Sequence, residues 1–84
     1  MITSFGYKNG DAPKRAAKVF DVRHLTHAVD SSDFKRTESE IVQYLRANPG
    51  RDIAIGCEHG KHRSRTLANR VATALRTSVY HRDQ

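Results

Sequence analysis

The fold is decided by one stretch, Arg51-Asp52-Ile53-Ala54-Ile55-Gly56-Cys57-Glu58-His59-Gly60-Lys61-His62-Arg63-Ser64. Its first half is an apolar run ending at Cys57, typical of a strand that is buried on both faces in a parallel sheet. From about Ser64 to Arg76, apolar residues recur at the spacing of one buried helix face. A strand that leads through a tight loop into a helix predicts an α/β fold. Ligands of such folds bind at the carboxyl ends of the strands, where this loop lies.

Further strands and helices are predicted on either side of this stretch. Three more strands are predicted, over Ile2–Tyr7, Lys18–Arg23 and Ser78–Arg82. The segment Ala12–Lys18 is expected to form one or two helical turns, and His24–Lys35 a loop. Thr37 and Glu40 match a capping box, so a helix is predicted to begin at Thr37 and to end before Asn48-Pro49-Gly50. The whole chain, residues 1–84, is therefore expected to be one small three-layer α/β domain with a mostly parallel sheet of about four strands.

The composition is basic: the 84 residues carry a formal net charge of +6, with a pI near 10.0. Such a charge favours anionic partners, namely nucleic acid, phosphorylated small molecules or an anionic membrane surface. A single cysteine excludes an internal disulfide and fits a reducing compartment. The sequence has no apolar run of the roughly 20 residues that span a bilayer, and no signal-peptide layout at its start. We therefore expect a cytoplasmic protein with no membrane partner.

The loop that follows the central strand has the composition of a phosphate-binding loop. A phosphate needs several converging N–H donors, which a tight glycine-containing loop at a helix N-terminus supplies. Arg63 can grip two oxygens with its planar guanidinium, and Ser64 can donate a hydroxyl or cap the helix. Because a helix N-terminus disfavours positive side chains, the cations gathered here indicate an anionic ligand. The predicted phosphate-binding residues are Cys57, Glu58, His59, Gly60, Lys61, His62, Arg63 and Ser64.

The same loop also allows a catalytic interpretation. Five residues separate Cys57 from Arg63, the spacing of the phosphate loop in cysteine-dependent phosphatases, where a thiolate attacks phosphorus. Glu58 beside the nucleophile disfavours this chemistry, and only Asp30 or Asp33 offers itself as the general acid. A lone cysteine at the end of a buried strand is more often a core residue. Recognition without catalysis is therefore the first hypothesis, and a small cysteine phosphatase is the alternative.

Basic residues outside the loop predict contacts with RNA. The predicted RNA-binding residues are Lys14, Arg15, Lys18, Arg65, Arg70, Arg76, His81 and Arg82. Tyr7 and Tyr80 are candidate stacking partners for bases. His59 and His62 lie near Cys57, but the ligand spacing of a structural zinc site is missing, so neither a metal nor a cofactor is expected.

Several ordered segments resemble the C-terminal domain of the RNase adapter protein RapZ family. The loop resembles that domain's Gly-Cys-Thr-Gly-Gly-x-His-Arg-Ser segment, and Val19–Arg23 resembles its Phe-Asp-Val-Arg segment. Ile2–Lys8 resembles its opening strand, and Tyr80–Asp83 resembles its closing Arg-His-Arg-Asp stretch. The resemblance implies an α/β domain that binds a phosphorylated amino sugar and small regulatory RNAs, and that presents RNA to a ribonuclease.

The resemblance also implies which residues form the anion pocket. They are Cys57, Gly60, His62, Arg63 and Ser64, with His24 or His27, beside Arg23, as a further pocket histidine. The sequence departs from the family at Glu58 and His59, which stand where the family has threonine and glycine, and in a shorter segment before the capped helix. No G-x-x-x-x-G-K-[ST] motif is present, so ATP binding is not implied. The resemblance and the size together indicate a stand-alone, shortened bacterial or phage relative, for which a homo-oligomer is considered because the core is small.

Overall fold

The structure, a computed structural model, describes residues 1–25 and 31–83. Its elements are β1 (Ile2–Gly6), a 3-10 turn (Tyr7–Asn9), β2 (Lys18–Asp21), α1 (Ser32–Ala47), β3 (Ile53–Cys57), α2 (Arg63–Leu75) and β4 (Val79–His81). The four strands form one sheet in the order β2-β3-β1-β4, and every neighbouring pair is parallel. The predicted α/β fold with a parallel sheet of four strands is therefore confirmed.

One hydrophobic core lies between the sheet and the two helices. Successive side chains of a strand point to opposite faces, so Ile53, Ile55 and Cys57 share the face that the helices cover. From α1 and α2 the core receives Phe34, Ile41, Leu45, Leu67, Ala68, Val71 and Ala72. Burying each large aliphatic or aromatic side chain contributes about 1.5–3 kcal/mol, which is why the apolar periodicity of both helices predicts their packing.

Among residues 1–25 and 31–83, the opposite face of the sheet is covered by irregular chain and not by an α-helix. Phe5 is fully buried there, with the Tyr7 ring edge-on at 4.8 Å and the Arg82 guanidinium 5.1 Å from its ring centroid. The chain that follows β1 crosses this side and ends with the Ala17 amide donating to the Asp52 carbonyl at 2.7 Å. The domain thus has the expected three layers, with the segment 7–17 as the third.

Two local predictions were wrong. The segment Ala12–Lys18 contains a turn and extended chain rather than helical turns. Helix α1 begins at Ser32, inside the predicted loop, because the Ser31 hydroxyl caps it by accepting from the Phe34 amide at 3.2 Å and because Phe34 is buried in the core. Thr37 lies within the helix, where its hydroxyl donates to a backbone carbonyl.

The end of α1 was predicted correctly. Helix α1 stops at Ala47, and Asn48 closes it with both its backbone and side-chain nitrogens, which donate to the Tyr44 carbonyl at 2.9 and 2.8 Å. Gly50 follows with a φ of 81°, a conformation that favours glycine.

Histidine 81 fastens the edge strand β4 to the rest of the domain. Its Nε2 lies 2.9 Å from Asn69 Oδ1 on α2, and its Nδ1 lies 2.5 Å from the hydroxyl of the buried Ser4 on β1. Because an amide oxygen only accepts, Nε2 carries the proton and Nδ1 accepts from Ser4, as in a neutral imidazole. Burial lowers the pKa of His81, and the positive charge of Arg65 lowers it further.

We expect the domain to lose stability on mild acidification through His81. The folded pKa lies below the unfolded value of about 6.5, so the unfolded chain binds the extra proton first. The stabilisation is complete above about pH 6.5 and is lost as the pH falls through the folded pKa. Urea denaturation of wild type and His81→Gln at about pH 7.5 and pH 5.5 measures this. The variant should show the smaller dependence on pH; equal dependence in wild type and His81→Gln would contradict the assignment.

Candidate functional site

The carboxyl ends of all four strands meet at one edge of the sheet. The segments that leave this edge are Tyr7–Asn9 after β1, Arg23–Leu25 after β2, Glu58–His62 after β3 and Arg82–Asp83 after β4. Side chains from distant parts of the sequence are thereby brought together beside the N-terminus of α2. This is the edge at which α/β sheets bind their ligands.

The loop after β3 is held tightly against the end of β1. Gly60 has a φ of 78°, and a β-carbon added at Gly6 would lie 2.2 Å from the His59 carbonyl carbon, so the two backbones touch. The Lys8 amide donates to the Glu58 carbonyl at 3.0 Å, and Asn9 Nδ2 donates to the His59 carbonyl at 3.0 Å. The path of the loop is therefore fixed by contacts that the loop sequence alone does not show.

The sulfur of Cys57 lies at the centre of this loop. It is 3.1 Å from the Ser64 hydroxyl and accepts a hydrogen bond from the Gly60 amide at 3.2 Å. The Ser64 hydroxyl also lies 3.3 Å from the Phe5 carbonyl, so its single hydrogen can be donated to either the carbonyl or the sulfur. Burial, the largest single effect, raises the pKa of the Cys57 thiol, whereas the hydrogen bond of the Ser64 hydroxyl lowers it. The amides of Ser64, Gly60 and His62 point to the same sulfur and also lower the pKa, which lies below its ordinary value. The loop thus concentrates hydrogen-bond donors on one point.

Arg63, the first residue of α2, connects the loop to the end of β2. Its Nη1 donates to the carbonyls of Arg23 and Leu25 at 2.8 and 2.9 Å. Its Nε is buried and has no hydrogen-bond partner among the described residues. The guanidinium therefore closes one side of the site with part of its donor capacity unused.

The charges around the loop favour an anion. Glu58, the carboxylate that disfavours catalysis by Cys57, pairs with Lys8 at 3.0 Å, and its pKa is lowered chiefly by the hydrogen bond from Lys8. Helix α2 has no acidic residue in its first turn, and the side chain of its N-cap residue, His62, does not form a capping hydrogen bond with the helix backbone. His59 and Lys61 are exposed. The positive end of the helix is thus surrounded by cations and lacks a side-chain cap.

The further pocket residues lie beside the loop in different settings. Arg23 stacks on the Tyr7 ring, 3.9 Å from its centroid, and pairs with Asp21 at 2.6 Å; its hydrogen bond is the main cause of the lowered pKa of Asp21. His24 is exposed and lines a small polar cleft together with residues of the first turns of α1. His27 lies outside the described residues, as does Asp30, one of the two general-acid candidates. The other candidate, Asp33, lines the cleft beside His24.

The structure divides the predicted RNA-binding residues into two groups. The first group is exposed, and its side chains form no hydrogen bond or ion pair with a described residue: Lys14, Arg15, Lys18, Arg65 and Arg76. Lys14 and Arg15 line an open groove together with Tyr80, which is 56% exposed, so cations and an aromatic ring meet there. The side chains of the second group bond to other residues of the domain. Arg70 pairs with Glu38, His81 bonds to Ser4 and Asn69, and Arg82 donates to backbone carbonyls.

Arg82 has the most internal contacts of these residues. Its Nη1 donates to the Asp11 carbonyl at 2.6 Å, and its Nη2 donates to the Gly10 carbonyl at 3.3 Å and to Asp83 at 2.9 Å. Asp83 in turn accepts from the Gly6 amide at 2.7 Å. Arg82 thus supports the end of β1 on which the loop rests, and its contact with RNA stays a prediction.

The part of the chain that the structure describes contains neither a metal-binding cluster nor a membrane-spanning helix. Within residues 1–25 and 31–83, no three histidine, cysteine, aspartate or glutamate side chains come together as a metal site. Neither helix in that part of the chain is long and apolar enough to cross a membrane.

Fold and loop together define a class: a small parallel α/β domain with converging backbone donors at the carboxyl edge of its sheet. No family model matches the chain. It is 32% identical to a nucleotide-binding protein of Desulfovibrio desulfuricans, over 94% of this chain and 34% of that protein. It is 31% identical to one from Rhodospirillum rubrum, over 99% of this chain and 36% of that protein, and 29% identical to one from Acinetobacter baumannii, over 99% and 41%.

The match therefore covers nearly all of this chain but only part of each relative. The chain spans between 34% and 41% of the length of these three proteins. The alignment with the Acinetobacter protein runs over 116 positions, more than the 84 residues of this chain. That relative therefore carries extra residues between the matched segments.

Proposed function

We propose that this chain is a phosphate-recognising module that binds nucleotide-like ligands through the loop Cys57–Ser64 without catalysing a reaction. The observation that carries the proposal is the convergence of the Gly60, His62 and Ser64 amides on the Cys57 sulfur, at the N-terminus of α2. The similar proteins support it, because each is named a nucleotide-binding protein. The predicted pocket residues in the loop, and Arg23 and His24 beside it, are part of this proposal.

The finer form of the proposal follows the resemblance to the RapZ C-terminal domain. In that form the ligand is RNA, a phosphorylated amino sugar or both, residues 1–84 act as one domain, and a ribonuclease is the protein partner. A hydrogen bond to a charged group contributes about 1.5–3 kcal/mol, so a lone phosphate binds weakly and the rest of the ligand must add contacts. For RNA, the groove of Lys14, Arg15 and Tyr80 offers phosphate contacts and a stacking surface.

We expect a nuclear magnetic resonance titration of the 15N-labelled protein to test this function directly. Millimolar inorganic phosphate, glucosamine 6-phosphate or a nucleoside monophosphate should shift the amide signals of residues 58–64. Single-stranded RNA should also bind, and its affinity should fall steeply between about 50 and 200 mM salt if several phosphates are contacted. The double variant Lys14→Ala/Arg15→Ala is the matched control, since it should weaken RNA and leave phosphate unchanged. Loop signals that respond to none of these probes would refute the proposal.

The cysteine phosphatase remains the second candidate function because one observation favours it. Cys57 has a lowered pKa, and its sulfur is 3.1 Å from the Ser64 hydroxyl. In that reaction the thiolate attacks phosphorus and expels the alcohol, and water then hydrolyses the phosphocysteine. One observation favours recognition instead: Cys57, the residue that would have to attack phosphorus, is only 2% exposed.

Replacing Cys57 with serine distinguishes the two functions. If the loop only recognises phosphate, Cys57→Ser should retain phosphate binding within a few-fold, because a hydroxyl can still accept from the Gly60 amide. If the loop is catalytic, wild type should hydrolyse an aryl phosphate and the variant should not. We expect no hydrolysis by either protein. Turnover that wild type shows and Cys57→Ser loses would establish the enzyme.

A further inference from the structure

A second groove lies at the amino ends of the strands, on the opposite edge of the sheet from the loop. Its lining includes Ile2, Leu45 and Leu75, which are buried or half-buried, and its volume is about 400 Å³. Three exposed arginines surround this aliphatic floor: Arg46, Arg51 and Arg76. None of the three forms an ion pair with any residue in 1–25 or 31–83.

Arg76 is held at the rim by an unusual backbone conformation. It closes α2 in the left-handed region, with φ 52° and ψ 47°, where helices usually end in glycine. Its amide donates to the carbonyl of Thr73 in the last turn of α2. A residue with a β-carbon adopts this conformation at a cost of about 1–2 kcal/mol, which glycine would avoid.

We propose that this groove binds an acidic segment of a partner protein that inserts an aliphatic side chain between the arginines. Unpaired guanidiniums around an apolar floor match carboxylates around an apolar side chain, and guanidiniums bind carboxylates in a bidentate geometry. The lining contains no aromatic ring on which a base could stack, which favours a protein segment over RNA. The inference is independent of the phosphate loop, since the groove lies at the other edge of the sheet.

The test uses the whole chain and a set of three peptides. The probe is a peptide of about twelve residues in which glutamate and leucine alternate in pairs, long enough to cross the groove. Two matched peptides replace every leucine with serine or every glutamate with glutamine. In a titration of the 15N-labelled protein, only the first peptide should shift the amide signals around Leu45–Arg51 and Leu75–Thr77.

Two triple variants that remove the same number of charges distinguish binding in the groove from general electrostatic attraction. Arg46→Gln/Arg51→Gln/Arg76→Gln should weaken the acidic–aliphatic peptide at least about tenfold. Lys14→Gln/Lys35→Gln/Arg65→Gln removes the same charge from other exposed positions and should weaken it less than about twofold, because distant surface charges are screened.

Each contrary outcome overturns the proposal. If both triple variants weaken binding of the acidic–aliphatic peptide equally, the attraction is general and not specific to the groove. If a peptide without leucine, or one without glutamate, binds as well as the first peptide, then the aliphatic or the acidic contact is not used. Absence of shifts at millimolar peptide would show that the groove does not bind such segments. If single-stranded RNA or phosphatidylserine vesicles shift these signals and the peptide does not, the partner is not a protein segment.

Discussion

Gly6→Ala is expected to destabilise this domain strongly. The φ of Gly6 is −117°, which any residue adopts, so the effect comes from contact alone. The added β-carbon would lie 2.2 Å from the His59 carbonyl carbon and 2.5 Å from the Gly60 amide nitrogen, both backbone atoms that cannot turn aside. We expect a loss of about 3 kcal/mol or more, a large share of the roughly 5–10 kcal/mol that holds a domain of this size together.

Gly50→Ala is the matched control for this substitution. Gly50 has a φ of 81° but nothing within 4 Å of the position of an added β-carbon, so it carries the backbone strain without the contact. We expect a loss of about 1 kcal/mol there. Urea denaturation followed by circular dichroism measures both variants. A Gly6→Ala protein no less stable than Gly50→Ala would show that the loop can leave β1 at little cost, and the rigid site described above would be wrong.

Arg63→Ala is expected to weaken the proposed ligand binding strongly and to loosen the chain after β2. The substitution removes one of the cations of the loop and leaves the carbonyls of Arg23 and Leu25, which lie 2.8 and 2.9 Å from Nη1, without their donor. We expect binding of inorganic phosphate and RNA to weaken at least about tenfold. The two lost hydrogen bonds from a charged group should lower the free energy of unfolding by about 1.5–3 kcal/mol.

Two further variants separate the roles of the Arg63 side chain. Arg63→Lys keeps the charge but loses the planar guanidinium with its several donors. It should therefore recover part of the phosphate binding, but little of the stability that comes from the bonds to the Arg23 and Leu25 carbonyls. Arg46→Ala removes the same charge at the opposite edge of the sheet and should leave phosphate binding unchanged. If Arg63→Ala loses stability but binds phosphate as wild type does, the guanidinium only anchors the loop, and its assignment as a phosphate ligand is wrong.

The sequence predicted the part of the fold in which local and tertiary signals agree. The apolar run of β3 and the periodic face of α2 are each buried in the core, so their patterns located them to within a residue or two. The start of α1 was missed because Asp33 and its neighbours favour turns, whereas the burial of Phe34 and the cap at Ser31 decide the outcome. Such tertiary contacts override local preference.

The candidate site was predicted as a list of loop residues but not as an arrangement. The role of Gly6 and Asn9 depends on contacts with the loop some fifty residues away along the chain, which no spacing rule shows. The charge pattern also could not show that Arg82 is bound within the domain and Lys14 is exposed, since both are cations in a basic protein. The structure separates them because Arg82 donates to the backbone around β1 whereas the Lys14 side chain is exposed.

The strand order has a consequence for when the site forms during folding. Strand β1 pairs with β3 and β4, through Ile2 with Ile53 and with Val79, and has no partner nearby in sequence. The chain must therefore bring β3 and β4 back to β1 across long intervening segments before β1 is paired. The entropy lost in closing these long loops opposes the early steps of folding. The loop rests on β1 and is supported by Asp83, so it cannot take its shape in a partly folded chain. Capacity to bind the proposed anionic ligand should thus appear only in the last step of folding, together with the completed sheet.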